Sequence, residues 1–195
     1  VLMILDSYNF GGAENLIAEL GRYDPDSLDV SVASLAPAEQ GRNALLDRLT
    51  EVGLRPSYLS VDKLLDPMGF SRLVRMLRSA PVDVVHAHLG YSATLVPIAA
   101  RLAGKPVVAT LHLSPQPHTR RGEWLKERLS VRIPARLGRL VLVSQHAFDE
   151  YARVHGPARW TWRMIPNGVD VNRYALRTGP LSTDRQVWAV VAALR

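Results

Sequence analysis

Three histidines are the residues of this chain best placed to do chemistry. His86 and His88 stand two apart at the end of the run Asp83-Val84-Val85-His86-Ala87-His88, so an extended strand would put both on one face of a sheet. His112 follows a second apolar run, Val107-Val108-Ala109-Thr110-Leu111, and precedes a loop stiffened by Pro115 and Pro117. Three imidazoles could bind zinc. Zinc also needs an open coordination position and usually a carboxylate partner, and no H-E-x-x-H pattern is present, so no metal is expected. At least one of His86 and His88 is expected to be a buried, hydrogen-bonded structural residue. His112 is the catalytic candidate, because an imidazole at the end of a central strand can donate to a hydroxyl or stabilise developing charge without acting as a formal base.

Gly11-Gly12-Ala13-Glu14 marks the turn from the first strand into the first helix. Paired glycines there let a phosphate or sugar approach the backbone and the helix N-terminus, although a tight turn with positive φ would call for them as well. The segment lacks G-x-G-x-x-G, and no acidic residue ends the second strand near Leu35, so a dinucleotide cofactor is not expected. Ser144, after an apolar run from Leu140, and the Asn-Gly turn at Asn167 and Gly168 complete the candidates at strand ends.

The elements that must position these residues are visible as alternation. Short runs of Val, Ile and Leu alternate with stretches of helical periodicity, the pattern of βαβ units. The fold class is α/β: a Rossmann-like, doubly wound, mostly parallel sheet with helices on both faces. Strands are predicted at 1–5, 29–35, 56–60, 83–87, 106–111, 140–144 and 162–165, and helices at 12–22, 43–52, 67–79, 91–103, 122–137 and 145–154. Gly53, Gly104 and Gly156 stand just past three helix ends. In such a sheet ligands bind outside the carboxyl ends of the strands, where the candidates stand. Residues 1–174 read as the main domain, 175–186 as a linker and 187–195 as the start of a truncated second domain. The missing initiator Met and the strand-like run at the end suggest a fragment of something longer.

With 195 residues, of which 47% are hydrophobic, the chain can bury a substantial core. No apolar run approaches the roughly 20 residues of a membrane span. The opening Val1 to Leu5 is too short for a signal-peptide core. The absence of cysteine excludes disulfides and thiolate chemistry. A net charge of +6, almost wholly from arginine, favours an anionic partner. Between Arg120 and Arg139 seven Arg or Lys side chains accompany Leu125, Leu129, Ile133 and Leu137 at four-residue steps. The pattern reads as a solvated basic face over a core stripe, with Trp124 leaving room for docking on an anionic membrane or acceptor. No nucleic-acid-binding motif accompanies it, and no nucleic acid is expected as a partner.

Four segments, Gly11-Gly12-Ala13-Glu14, Asp83 to His88, Val107 to His112, and Val143-Ser144 followed by Ile165-Pro166-Asn167-Gly168-Val169-Asp170, resemble the GT4 family of glycosyltransferases in order and spacing. The resemblance implies a two-domain GT-B enzyme that transfers a sugar from a nucleotide sugar, as substrate and without further cofactor, to a carbohydrate, lipid or small-molecule acceptor. It implies a retaining, metal-independent reaction, with this chain as the acceptor-side half and the donor mainly on a missing C-terminal domain. By the same resemblance His112 touches the transferred sugar; Gly11, Gly12, Glu14, His88 and Ser144 bind donor phosphate or acceptor; and Asn167 and Gly168 form the passage to the second domain. The family's Gly-Arg-Leu falls on Ala192-Ala193-Leu194, so Ala193 stands where a phosphate-binding arginine is usual. The expected setting is the cytoplasm, with peripheral contact at the inner face of the membrane. A non-hydrolysing sugar-nucleotide epimerase and a non-catalytic sugar-binding module are the alternatives.

Overall fold

The computed structural model describes residues 1–9, 11–22, 28–38, 45–61, 66–118 and 120–168. The expected linker, the start of a second domain, Val169, Asp170 and Ala193 lie outside the described residues. Strands and helices alternate as β1 (Leu2–Leu5), α1 (Gly12–Arg22), β2 (Ser31–Ser34), α2 (Leu46–Glu51), β3 (Pro56–Tyr58), α3 (Pro67–Ser79), β4 (Val85–His88), α4 (Ser92–Ala103), β5 (Val107–Leu111), α5 (Arg121–Leu137), β6 (Arg139–Leu142), α6 (Gln145–His155) and β7 (Trp162–Met164). The strands form one sheet, parallel throughout, in the order β3-β2-β1-β4-β5-β6-β7. The winding reverses between β1 and β4, and a crevice opens at the carboxyl ends of strands where it does so.

Side-chain alternation splits the apolar residues between two cores. Leu2, Ile4, Val85, Ala87, Ala109 and Leu140 point to one side, where they meet Leu73 and Leu77 of α3, Val96 and Ala100 of α4, Val131 of α5 and Tyr151 of α6. Met3, Leu5 and Val32 point to the other, against Ile17 and Ala18 of α1 and Leu49 of α2. Each fully buried Leu or Ile among them stabilises the fold by about 2 kcal/mol before chain entropy is counted. Four helices therefore cover one face, while α1 and α2 lie on the β1–β2 side of the other. Beyond α1, the second face of β4, β5 and β6 fronts a cavity.

Local chemistry explains most boundaries. Asp66 accepts from the Gly69 N–H at 2.8 Å ahead of Pro67, a capped start with proline in the first turn, and Gly104 closes α4 with a left-handed φ of 74°. β3 is shorter than predicted, ending at Tyr58, and Ser60 just beyond it turns left-handed at φ 50°. β4 runs to His88 because His88 pairs with Thr110.

One expectation is corrected. The stripe of Leu125, Leu129, Ile133 and Leu137 is not the packed face of α5: Leu125 is 49% and Leu137 37% exposed, while Ser130, Val131, Pro134 and Ala135 are buried. Those smaller side chains let α5 lie close against its neighbours, and the larger leucines are turned outward.

Candidate functional site

The site starts from strand register. Val85 and Ala87 of β4 face the helical core, so His86 and His88 face the other side, beside Val108 and Thr110 of β5. His112 lies two residues beyond Thr110 at the open end of β5. His88 Nδ1 is 3.1 Å from His112 Nε2, with the two rings stacked at 21° and their centroids 5.4 Å apart. His86 Nε2 is 2.8 Å from Thr110 Oγ1, and its ring centroid is 4.0 Å from that of His88.

Burial brings His112 down from 6.5 to about 4; burial and then the charge of His112 bring His86 to about 4 as well. Burial first, then His86 and His112, hold His88 well below its ordinary value. All three rings are therefore neutral near pH 7. A neutral pair sharing one hydrogen bond has two arrangements. If His88 Nδ1–H donates, His112 carries its proton on Nδ1 and His88 Nε2 is an acceptor; if His112 Nε2–H donates, the outer roles reverse. Both outer nitrogens, His88 Nε2 and His112 Nδ1, are buried without a hydrogen-bond partner among the described residues. The pair thus keeps one donor and one acceptor that no group among the described residues satisfies. A conjugate acid near 4 makes His112 a weak base and a good neutral donor. Among the described residues no group of three or more His, Cys, Asp or Glu could hold a metal ion: His88 and His112 bond each other, and His86 turns to Thr110.

A cavity of about 830 Å³ runs along this face, lined by the three histidines and Thr110, by Gly12 and Asn15 of α1, and by Pro166, Asn167 and Gly168. Gly11 accepts the Asn15 N–H at 3.0 Å as α1 begins. Gly12 has no left-handed φ, and a Cβ built there would meet nothing within 4 Å. Neither backbone conformation nor internal packing asks for glycine at 12. Glu14 lies in the first turn of α1; its side chain is outside the described residues. Ser144 is engaged elsewhere. Its Oγ accepts the Ala147 N–H at 3.1 Å as the N-cap of α6, and it does not line the cavity.

The Glycosyltransferase Family 4 pattern matches residues 10–173. The chain belongs to glycosyltransferase family 4. EpsF of Bacillus subtilis (strain 168) is 27% identical over 190 residues, covering 90% of this chain and 46% of EpsF. Anabaena HepE, crystallised with UDP-glucose, matches with a TM-score of 0.70 at 21% identity, over 89% of this chain and 45% of HepE. A UDP-N-acetylglucosamine 2-epimerase from Rickettsia bellii matches with a TM-score of 0.51 at 14% identity, over 83% of this chain and 43% of its own. These two likenesses are of fold. The family-4 chain spans about half the length of the relatives it matches.

Three features near the pair escaped motif reading. Asp6, after β1, accepts the backbone N–H groups of Ser92 at 2.6 Å and Tyr91 at 3.2 Å. The N-cap residue Tyr91 supplies no cap of its own, so Asp6 caps α4 from another strand and ties the ends of β1 and β4 together. Leu89, next to His88, holds a left-handed φ of 76°, rare for a bulky residue, while its N–H donates to Thr110 O and the Ser92 hydroxyl donates to His88 O. Glu127 of α5 accepts from His155 Nε2 at 2.7 Å and from the Gln116 N–H at 3.0 Å, with His118 Nε2 at 2.9 Å. That carboxylate fixes the loop following His112 in the family-4 chain. A second cavity, of about 400 Å³, lies between this loop, α4 and α5 and reaches His112. Asp6 was visible as an acidic residue ending a strand; its partners, 85 residues away, were not.

Proposed function

We propose that this chain is the acceptor-side half of a GT-B glycosyltransferase that moves a sugar from a nucleotide sugar to a carbohydrate, lipid or small-molecule acceptor, with retained anomeric configuration and no metal. The observation that carries this reading is the neutral, buried His88–His112 pair, facing one cavity with Gly12, Asn167 and Gly168 in a chain of family 4. As the bond between the anomeric carbon and the diphosphate lengthens, charge develops on both fragments. An N–H of His112 fixed beforehand holds the donor sugar without reorganisation during the reaction. The acceptor oxygen bonds the anomeric carbon and its proton passes to the departing phosphate oxygen, a stronger base than an imidazole whose conjugate acid lies near 4.

His88 sets the tautomer of His112 and lines the acceptor side. Gly11, Gly12 and Glu14, at the start of α1, serve the donor phosphates or the acceptor, while Ser144, away from the cavity, holds α6 as its N-cap. Asn167 and Gly168 lead toward the donor-binding domain, with 1–174, 175–186 and 187–195 as acceptor domain, linker and the start of that domain. No helix among the described residues is long and apolar enough to cross a membrane, and a cytoplasmic protein in peripheral contact with an anionic inner leaflet fits the arginine-rich α5. This chain alone should fold and turn over no donor.

HepE binds UDP-glucose, so a UDP-sugar is the first donor to try. With the complete two-domain enzyme, acceptor-dependent UDP release, a product of unchanged anomeric configuration by NMR and indifference to EDTA are expected. An inverted product would remove the retaining mechanism, and loss of activity in EDTA the metal-free one. Conversion of the nucleotide sugar to its epimer without an acceptor would favour the epimerase, whose fold this chain also shares.

A further inference from the structure

The cavity of about 400 Å³ between α4, α5 and the loop after β5 has no part in the transfer chemistry above, although His112 lines it as well as the larger one. Its size is that of a small-molecule site. Polar side chains around it are committed within the protein. Thr94 Oγ1 donates to Gly90 O at 2.9 Å, Ser130 Oγ to Glu127 O at 2.8 Å and Gln116 Nε2 to Ser114 O at 3.0 Å, while the Glu127 carboxylate accepts from His155 and the Gln116 N–H. The exposed Glu123 and Lys126, opposite in sign, add no net charge. What remains to line the space is mostly carbon, from Leu89, Leu111 and Leu113 and the rings of Tyr91 and Tyr151. Two of these leucines stand where folding alone favours another residue. Leu89 holds its left-handed φ of 76°, a conformation that suits Gly or Asn and strains a bulky side chain. Leu113 is 59% exposed in the loop that follows His112.

We propose that this second cavity is a specificity pocket for an uncharged apolar group of the acceptor, an alkyl chain or ring carried next to the hydroxyl that receives the sugar. The larger cavity lies on the sheet face that carries His86 and Val108, and the smaller one on the face covered by α4 and α5. They meet at His112. An acceptor whose apolar group fills the smaller cavity brings its hydroxyl to the side chain that the donor sugar approaches from the other face. A bare sugar would have to give up water for leucine and for polar groups already bonded elsewhere, which opposes its entry. An apolar group gains up to about fourfold in affinity for each methylene it buries there. Such a ligand also accounts for the strained Leu89 and the outward Leu113, which the fold itself does not require. The inference rests on the acceptor-side reading above and adds to it the class of acceptor.

Methyl, butyl and hexyl β-D-glucosides are titrated into the full chain and followed by NMR of the leucine methyl groups. Affinity should rise along the series, with hexyl glucoside at least about tenfold tighter than methyl glucoside and the signals of Leu89 and Leu113 perturbed. Leu89→Asn suits the left-handed backbone, so this variant should melt no lower than the parent. It should nevertheless bind hexyl glucoside about fivefold more weakly and methyl glucoside unchanged. Leu113→Asn, at an exposed position, should behave likewise. Equal affinity for the methyl and hexyl compounds, or two variants that bind hexyl glucoside like the parent, overturns the proposal. The acceptor-side reading fails separately. If the complete enzyme shows no acceptor-dependent UDP release while hexyl glucoside still binds at Leu89 and Leu113, the transfer reading falls and the apolar pocket stands. If UDP release occurs and the alkyl chain confers nothing, the pocket alone falls.

Discussion

His86 and His112 take up a proton near pH 4 in the fold and near 6.5 in an open chain, because burial withholds the water that would solvate the cation. Between these values the unfolded chain binds more protons than the folded one, so stability must fall as pH drops from about 6.5 to about 4. Each imidazole contributes on the order of 3 kcal/mol to that loss. Urea unfolding at successive pH values should show the decline, shallower in a His86→Gln variant; stability independent of pH across the window would contradict neutral burial. Asp6 gives a second expectation. Replacing it with alanine removes the cap of α4, which should cost about 1–2 kcal/mol by thermal melting. A change within a few tenths would mean that water serves those N–H groups equally well. At this scale the spacing of His86, His88 and His112 was legible, since period two and a strand end suffice. Their mutual hydrogen bond and neutrality were not, because both depend on β4 and β5 being neighbours in one particular register.

Among the elements, the helices with clear caps were the easiest to read: α3, between Asp66 with Pro67 and the break after Ser79, has its predicted bounds. The orientation of α5 was misread because a four-residue leucine repeat looks the same whether it faces a core or the outside; the deciding fact is that the small side chains of α5 itself, Ser130, Val131, Pro134 and Ala135, are the ones that pack inward. Gly138, between α5 and β6, also went unmarked. A Cβ there would lie 2.1 Å from the Val107 carbonyl oxygen, so Gly138→Ala must displace backbone of a central strand. A loss of about 2 kcal/mol or more in denaturant unfolding is expected, and a neutral result would mean that the α5–β6 turn shifts freely. Ser144→Ala should cost about 1 kcal/mol by uncapping α6.

For the molecule as a whole, the parallel sheet and its alternation with helices followed from the apolar runs, whereas the uneven cover did not. Nothing in the local pattern of α1 or α2 says that they stop short of β4 and leave its second face to line a cavity; that is set by strand order, which reverses at β1. The reversal brings Asp6, Gly12, His88 and His112 to one end of the sheet from far apart in sequence. The account rests centrally on His112 acting from that end as a preset donor to the transferred sugar. Its most direct test is the turnover of His112→Ala in the complete enzyme, measured beside its melting temperature. The expected result is a fall in kcat of about 10²–10³ with Tm lowered by only a few degrees. A kcat within about twofold of the parent, or a kcat and Tm that collapse together, would contradict it.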